Sequence, residues 1–223
     1  MTINQFNEYR PHRNRRRGQD SYAWPEKTAP KKQAPILGDS DVRRVESSIL
    51  ANSRAPVGDL IKIHLTLYAG LRVSEVANLH ITDLLEADGS VAQFVTVRPK
   101  VGKGGKGRRI PMHPKLAATI REYRRLYPSH DFVAFSQTWY TPKPQKTATL
   151  TCQFRSIYAQ AGLSGYSSHS GRRTFITNLA KQVGRNGFTL RDIQILAGHA
   201  RLETTEAYIE PSANMDKLIR RLK

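Results

Sequence analysis

Hydrophobic residues recur at helical spacing over most of the chain that follows residue 37. Leu60, Ile63, Leu67 and Leu71 lie three or four residues apart, which predicts one buried helical stripe. Asp39 or Ser40 can cap a helix that runs to about residue 52, and helices with apolar positions at helical spacing are predicted for 114–127, 154–161 and 175–183. The pattern therefore indicates a mainly helical domain.

The period of the hydrophobic pattern changes between residues 93 and 112. The segment "QFVTVRP" (93–99) alternates apolar and polar residues as a strand does, and "RRIPM" (108–112) can pair with it across the turn "VGKGGKG" (101–107). A third short strand is predicted for "FVAF" (132–135). We therefore expect a mainly α, α+β fold with a small antiparallel three-stranded sheet.

The two ends of the chain differ from its middle. Residues 1–36 are rich in basic residues and proline and have no hydrophobic period, which predicts a flexible basic N-terminal arm before a folded domain at 37–223. This arm is either a solvated tail or a segment that lies along phosphates. Residues 213–223 carry an apolar stripe, which predicts a C-terminal amphipathic helix.

The net charge of the chain indicates the kind of partner it binds. The 223 residues include 36 Lys and Arg but only 18 Asp and Glu, a formal net charge of +18. Such an excess indicates a polyanionic partner, nucleic acid first and an anionic membrane surface second. No apolar run approaches the roughly 20 residues that span a bilayer. The single Cys152 and the polar first 20 residues predict a cytoplasmic protein without a disulfide framework.

Two polar stretches carry candidate chemistry for binding an anion. Arg72 in "AGLRVSE" (69–75) lies at the junction of two predicted helices, near a helix N-terminus where anions are stabilised. His169 and Arg172 in "SSHSGRRTF" (167–175) lie three residues apart, so on a helix they share a face and can converge on a phosphoryl oxygen. Each stretch also has a plainer interpretation as an ordinary polar helix surface.

A glycine-rich turn and the segment "GHARLETTEAYIE" (198–210) supply three more candidates. Lys103 lies between glycines at the predicted hairpin tip, where it can approach a ligand closely. His199 and Tyr208 are nine residues apart, so one continuous helix would place them on opposite faces. Gly198 predicts a helix end and Thr204 or Thr205 a new N-cap, which would bring both side chains to one cleft.

The sequence predicts no cofactor and no metal site. The seven histidines lack carboxylate or cysteine partners at ligand spacing. The glycine-rich turn lacks the spacing and the terminal Ser or Thr of a nucleotide-binding P-loop. A serine hydrolase is not indicated either, since no G-x-S-x-G elbow occurs.

Four of these motifs, in this order, resemble those of the tyrosine recombinases, also called the phage integrase family. The motifs are "AGLRVSE", "GKGGKGRRIPM", "HSGRRTF" and "LAGHARLETTEAY", within residues 38–212. The resemblance implies a helical catalytic domain of the DNA breaking-rejoining type. It further implies site-specific DNA recombination, by integration, excision or inversion, through a 3′-phosphotyrosyl intermediate and religation.

The resemblance also implies roles for individual residues. The implied catalytic residues are Arg72, Lys103, His169, Arg172, His199 and the nucleophile Tyr208, with Glu75 supporting the first arginine. The two arginines would clamp the scissile phosphate, the lysine would protonate the leaving 5′ oxygen, and the histidines would serve as acid–base and phosphate donor. The chemistry agrees, because a tyrosine with an ordinary pKa of about 10 needs a strongly cationic site to act as a nucleophile.

Partners follow from the same resemblance and from the charge. The residues expected to contact DNA are Arg10, Arg13, Arg15, Arg16, Arg17, Lys106, Arg108 and Arg173. The implied partners are double-stranded DNA recombination sites and further copies of the chain in a tetrameric synapse, with a free monomer left open. Accessory DNA-bending proteins and association with the nucleoid are compatible with this role, and no membrane partner is expected. The C-terminal helix is expected to dock either in cis or on a neighbouring protomer.

One departure from the family pattern keeps other functions open. Most family members carry a helical core-binding domain before the catalytic domain, and here only the arm of residues 1–36 precedes it. The resemblance is therefore to short, catalytic-domain-only members. Two alternatives stay open, a catalytically silent DNA-binding or architectural protein and a DNA-relaxing activity like that of type IB topoisomerases.

Overall fold

The structure, a computed structural model, describes residues 33–99, 101, 107–136, 143–185 and 187–208. Its helices are α1 (Asp39–Asn52), α2 (Pro56–Tyr68), α3 (Val73–Ala77), α4 (Pro114–Leu126), α5 (Thr147–Gln160), α6 (Ser170–Ala180), α7 (Leu190–Ala197) and α8 (Glu203–Glu206). Its strands are β1 (Phe94–Val97), β2 (Arg108–Pro111), β3 (Phe135–Ser136) and β4 (Lys143–Pro144). The mainly helical fold with a small antiparallel sheet is confirmed.

Several predictions concern residues outside these ranges. They are Lys103, Lys106, the arm residues Arg10, Arg13, Arg15, Arg16 and Arg17, and the segment 213–223. Where the chain is described, none of its helices combines the length and the apolar character needed to cross a membrane.

Helix α2 is the centre of the fold. It packs against α1, α4 and α6, so it is buried on more sides than the single stripe that the sequence predicted. Ile61 and Leu65, which lie outside that stripe, are fully buried, as is Ile63 within it. Helix α2 is buried on several sides and ends at Tyr68, so the loop that follows it starts from a fixed position.

Helix α6 approaches α2 closely through Gly171. A Cβ atom at this position would lie 2.2 Å from the hydroxyl oxygen of Thr66, so only glycine fits between the two helices. The neighbouring residue Arg172 is consequently buried against the end of α2. The motif "HSGRRTF" therefore contains Gly171, which allows the close packing of the two helices, and Arg172, which this packing directs into the site.

The strands form two separate sheets within the described residues, so the predicted three-stranded sheet is wrong. Strands β1 and β2 pair antiparallel, with Phe94 opposite Pro111, and β3 pairs with β4 instead of joining them. The reason lies in the packing of the "FVAF" segment. Val133 and Ala134 are buried in the helical core and Phe132 forms an isolated bridge with His80, which leaves only Phe135 to start a strand.

A second, smaller hydrophobic cluster joins α6 to α7. Its buried residues are Ile176, Ile193 and Ala197, and Tyr208 packs against it. The chain preceding α1 is also held on α6. The backbone N–H of Leu37 donates to the hydroxyl of Thr174 at 2.8 Å. The hydrophobic cluster holds α6 and α7 together, and the hydrogen bond from Leu37 attaches the chain before α1 to α6.

Candidate active site

Arg72 and Glu75 form the first part of the site, where the loop after α2 becomes α3. Glu75 is fully buried and accepts hydrogen bonds from the backbone N–H of Arg72 at 2.8 Å and from its Nη1 at 3.0 Å. Arg72 is the residue that precedes α3, as the sequence predicted. The pairing fixes the backbone and the guanidinium of Arg72 together at a helix N-terminus.

Arg108 binds the same carboxylate from strand β2. Its Nη1 and Nη2 donate to the two oxygens of Glu75 at 2.9 and 2.7 Å, and its side chain is only 6% exposed. We expected Arg108 to contact DNA, and the structure instead directs it into the protein. The strand alternation contained this signal, because Arg108 shares a face with Ile110, which is buried.

The two arginines keep Glu75 ionised. Burial would raise the pKa of Glu75, but the hydrogen bonds and charge of Arg108, followed by those of Arg72, outweigh burial and hold the pKa below its ordinary value. A buried carboxylate is stable only when it is paired in this way. Glu75 therefore holds two guanidinium groups in a fixed arrangement.

Arg172 enters the site from the first turn of α6. It is 6% exposed, and its two terminal nitrogens donate to the backbone carbonyls of Gly70 and Ala197. Burial and then the nearby charge of Arg72 lower the pKa of Arg172 to about 9, and Glu75 opposes this effect. Arg172 thus remains a cation at neutral pH, although it is almost completely enclosed.

The C-terminal end of α7 is the common anchor of these three arginines. Three consecutive carbonyls accept their hydrogen bonds: Leu196 from Arg108 at 3.0 Å, Ala197 from Arg172 at 2.7 Å and Gly198 from Arg72 at 3.1 Å. The last carbonyls of a helix have no partner within the helix, and they carry the negative end of its dipole. The end of α7 therefore attracts and spaces the arginines.

Gly198 ends α7 and reverses the chain. It has φ 62° and ψ 47°, a left-handed conformation that favours glycine. The predicted helix break is confirmed, since α7 ends at Ala197 and α8 begins only at Glu203. The predicted cap at Thr204 or Thr205 is wrong, because Leu202 precedes α8 without capping it through a side chain.

His199 and Tyr208 lie on the same side of the cleft as a result of this break. Their ring centroids are 6.2 Å apart and their planes differ by 24°. Nδ1 of His199 is 2.9 Å from the hydroxyl oxygen of Thr205. Burial and the positive charges of Arg172, Arg72 and Arg108 lower the pKa of His199 to about 4, so its imidazole is neutral at pH 7.

His169 and Arg173 occupy less central positions. His169 precedes α6 as its N-cap residue and is exposed, and its ring makes no hydrogen bond to any residue that the structure describes. Arg173, which we expected to bind DNA, donates to the carbonyl of Ala34 at 2.6 Å. The structure thus brings Arg72, Arg172, His199 and Tyr208 together and leaves His169 exposed at the start of α6.

An open cavity of about 370 Å³ lies beside Arg72 and His199. Arg109 and Arg191 also line it, and neither was predicted to be a site residue. No sequence motif surrounds Arg191 in the first turn of α7, so its place in the cavity could be recognised only from the structure. Four arginines around one open cavity, counting Arg108, favour an anionic ligand.

Within the described ranges, no three His, Cys, Asp or Glu side chains group closely enough to hold a metal ion.

A helical domain with this arginine-lined cleft and its neighbouring histidine and tyrosine fits the class of protein that the motifs predicted. Residues 43–215 match the Phage integrase family, and the chain belongs to that family. The resemblance found in the sequence is confirmed.

Similar proteins include named tyrosine recombinases. Tyrosine recombinase XerD of Brucella suis biovar 1 (strain 1330) is 34% identical over 202 residues, which cover 81% of this chain and 60% of the relative. Tyrosine recombinase XerA of Pyrococcus furiosus (strain ATCC 43587 / DSM 3638 / JCM 8422 / Vc1) is 30% identical over 184 residues, covering 82% of this chain and 60% of the relative. The chain thus spans about three fifths of the length of these relatives.

Solved structures agree with this chain in fold. The crystal structure of XerH site-specific recombinase bound to difH substrate, in a pre-cleavage complex, has a TM-score of 0.65 at 21% identity. The match covers 92% of this chain and 58% of that one. The crystal structure of XerA recombinase has a TM-score of 0.63 at 24% identity, covering 88% and 67%.

Proposed function

We propose that this protein cleaves and rejoins DNA at specific sites through a covalent link between Tyr208 and a 3′ phosphate. One observation carries the proposal: Arg72, Arg172 and His199 converge beside Tyr208 at the end of α7, although they lie in three separate segments of the chain. Membership of the phage integrase family supports it. The reaction would be site-specific recombination, because the named relatives are tyrosine recombinases.

The geometry supports a division of labour among the site residues. Arg72 and Arg172 are cations held at fixed positions, so they would bind the non-bridging oxygens of the scissile phosphate and stabilise the charge that develops there. His199 is neutral and would donate a hydrogen bond to the same phosphate. His169, which is exposed at the start of α6, would assist proton transfer, and Lys103, which lies outside the described residues, would protonate the leaving 5′ oxygen.

Arg108 and Arg173 act through the protein in this proposal. Arg108 would position Arg72 by holding their shared partner Glu75, and Arg173 would fix the chain before α1 through Ala34. Contacts with DNA phosphates other than the scissile one would then come from Arg109 and Arg191, which line the open cavity, together with Lys106 and the basic arm. The net charge of +18 supports such a wide contact with a polyanion.

Storage of the phosphodiester bond as a phosphotyrosine would permit religation without an external energy source. The substrate would be double-stranded DNA carrying a recombination site, as in the XerH complex with difH. Strand exchange requires two duplexes, so we propose that the protein assembles as a tetramer on DNA. Accessory DNA-bending proteins would assist that assembly.

A covalent-trapping experiment tests the nucleophile. The binding site is first selected from a random duplex library and then rebuilt as a nicked suicide duplex, from which a short cleaved fragment diffuses away. We expect the wild type to form a covalent complex on a denaturing gel and Tyr208→Phe to form none. Tyr208→Phe should still retain the duplex on a native gel, because the change removes a single hydroxyl.

Tyr166→Phe is the matched control, since Tyr166 lies outside the site and its hydroxyl makes only long contacts, at 3.4 and 3.5 Å. Its covalent yield should equal that of the wild type. A covalent band that persists in Tyr208→Phe would refute the assignment of the nucleophile. Binding without any covalent complex in the wild type would instead indicate a silent DNA-binding protein.

A further inference from the structure

We propose that Thr205 is a positioning residue that holds His199 in the tautomer with its proton on Nε2. The inference deepens the proposed function, and its catalytic consequence rests on it. The tautomer itself is a property of the free protein and can be measured without DNA. The sequence indicates no contact of Thr205 with His199, because a threonine at the start of a short helix is expected to be an N-cap.

The contact between the two residues is buried and specific. Thr205 lies in α8 and is fully buried, and its hydroxyl oxygen is 2.9 Å from Nδ1 of His199. The backbone of α8 is fixed separately, since the N–H of Thr205 donates to the carbonyl of Leu202 at 2.7 Å. Across the described part of the chain, the Thr205 hydroxyl has no hydrogen-bond partner other than His199.

The direction of this hydrogen bond follows from counting protons. A neutral imidazole carries one proton, which lies on either Nδ1 or Nε2. If Nδ1 donated to Thr205, the hydroxyl proton of Thr205 would need another acceptor, and its buried surroundings in the described residues provide none. An unsatisfied buried donor costs about 1–3 kcal/mol. If Thr205 donates instead, both partners are satisfied and the proton of His199 lies on Nε2.

The surrounding charges keep the imidazole neutral, so the choice of tautomer matters. Burial lowers the pKa of His199, and the positive charges of Arg172, Arg72 and Arg108 oppose a second proton in the same direction. Only a neutral ring has an alternative tautomer to exclude. In the required tautomer Nε2 presents a donor, whereas the other tautomer would present a lone pair and repel a phosphate oxygen.

The tautomer is measured by NMR on the 15N-labelled full chain without DNA. In the wild type we expect Nδ1 of His199 to show the shift of an unprotonated nitrogen and Nε2 that of a protonated one, with His199→Gln identifying the signals. Thr205→Val keeps the shape of the side chain and removes the donor, so both nitrogens should move towards averaged shifts. Thr205→Ser restores the hydroxyl and should restore the wild-type shifts.

Thr204→Val is the matched control, because Thr204 is the exposed neighbour in the same helix. It should leave the shifts of His199 unchanged. A wild type with its proton on Nδ1 would overturn the proposal even if Thr205→Val failed to fold. Unchanged shifts in a folded Thr205→Val would overturn it as well.

The same variants separate this inference from the proposed function. On the suicide duplex we expect Thr205→Val to form the covalent complex at least about tenfold more slowly, with DNA retention intact and with recovery in Thr205→Ser. If the wild type forms no covalent complex, the proposed function fails while the tautomer result still stands. If the tautomer changes but the rate does not, Thr205 sets the tautomer without a role in cleavage, and the catalytic part of the inference is refuted.

Discussion

At the scale of the residue, Glu75 is the position on which the site depends most. It is fully buried and binds Arg72 and Arg108 at once, so its charge is stabilised by two partners. Breaking a buried ion pair by removing one partner costs about 3–5 kcal/mol, because the remaining charge stays buried. The carboxylate is therefore both a support for Arg72 and a point of vulnerability.

We predict that Arg108→Met destabilises the protein by about 3–5 kcal/mol at neutral pH. In the wild type the pKa of Glu75 is depressed, so its contribution to stability is complete above the unfolded value, about 4.3, and is lost as the pH falls through the lower folded value. Without Arg108, burial becomes dominant and penalises the ionised form. The difference in unfolding free energy between the two proteins should therefore shrink as the pH falls towards 4.

Urea unfolding at pH 7.5 and pH 4.5 measures this difference. Arg109→Met is the control, because Arg109 is exposed and its nearest interaction is a contact with the ring of Phe94 at 4.4 Å. It should cost at most about 1 kcal/mol at either pH. Equal destabilisation by Arg108→Met at the two pH values would show that Glu75 is not the coupled group.

The sequence revealed residues whose role depends on a motif and missed those whose role depends on packing. Arg72 and Glu75 could be paired because a helix N-terminus follows Arg72 directly. Arg108 was predicted to contact DNA, and its bond to Glu75 was missed, although strand alternation places it on the same face as a buried isoleucine. Thr205 was predicted to be an N-cap. Its hydrogen bond to His199 could not be predicted, because it forms only where the chain turns at Gly198.

At the scale of the element, the turn after α7 organises the site. The turn places His199 next to Tyr208, and the last carbonyls of α7 receive the three arginines. A glycine near the end of an apolar helical pattern is a strong signal, so the break could be predicted from sequence. The pairing of β3 with β4 could not, because the choice of a strand partner depends on which face the helical core covers.

We predict that Gly198→Ala lowers cleavage by more than its cost in stability explains. The left-handed conformation costs a residue with a Cβ about 1–2 kcal/mol, and the new Cβ would lie 3.1 Å from Nη1 of Arg108. Arg108 must therefore shift, and Arg72 with it through Glu75. Covalent-complex formation at a temperature where the variant is fully folded should fall about tenfold.

Gly184→Ala is the matched control for this strain. Gly184 also has a positive φ, 82°, but a Cβ there would meet no described atom within 4 Å. The two variants should lose similar stability, and Gly184→Ala should keep the wild-type rate of cleavage. Equal rates in both variants would indicate that the turn tolerates a side chain without moving the arginines.

At the scale of the whole molecule, the first 32 residues carry a high share of basic side chains. Residues 1–32 contain eight Lys and Arg and three Asp and Glu. The next residues belong to the domain, since the carbonyl of Ala34 and the N–H of Leu37 bind Arg173 and Thr174. A deletion that tests the arm should therefore end at residue 32 and leave these contacts intact.

We predict that deletion of residues 1–32 weakens DNA binding and flattens its dependence on salt. Each phosphate contact that is lost should reduce the slope of log K against log salt by about 0.9. Binding isotherms at several salt concentrations measure both quantities. Arg15, Arg16 and Arg17 replaced together by Gln, with the arm retained, should reproduce part of the change, whereas an unchanged slope in both proteins would make the arm a solvated tail.

The family and the helical class were within reach of the sequence because four motifs occur in register. The residues that would join two copies on DNA could not be predicted, because they lie on surfaces that no motif marks. Composition indicates a polyanion, but it does not indicate how many phosphates are contacted or by which residues.

The shared carboxylate of Glu75 has a consequence for ionic strength. Arg72, Arg108 and Arg172 bring three positive charges to the cleft, and Glu75 cancels one of them inside the protein. Glu75 and these three arginines together therefore offer an arriving phosphate two net charges, and fewer counterions are released there than a count of the three arginines would suggest. Most of the salt dependence of the proposed DNA binding should then come from other basic residues. Added salt should therefore lower the overall affinity for DNA more than it weakens the contacts of Arg72 and Arg172 with a phosphate.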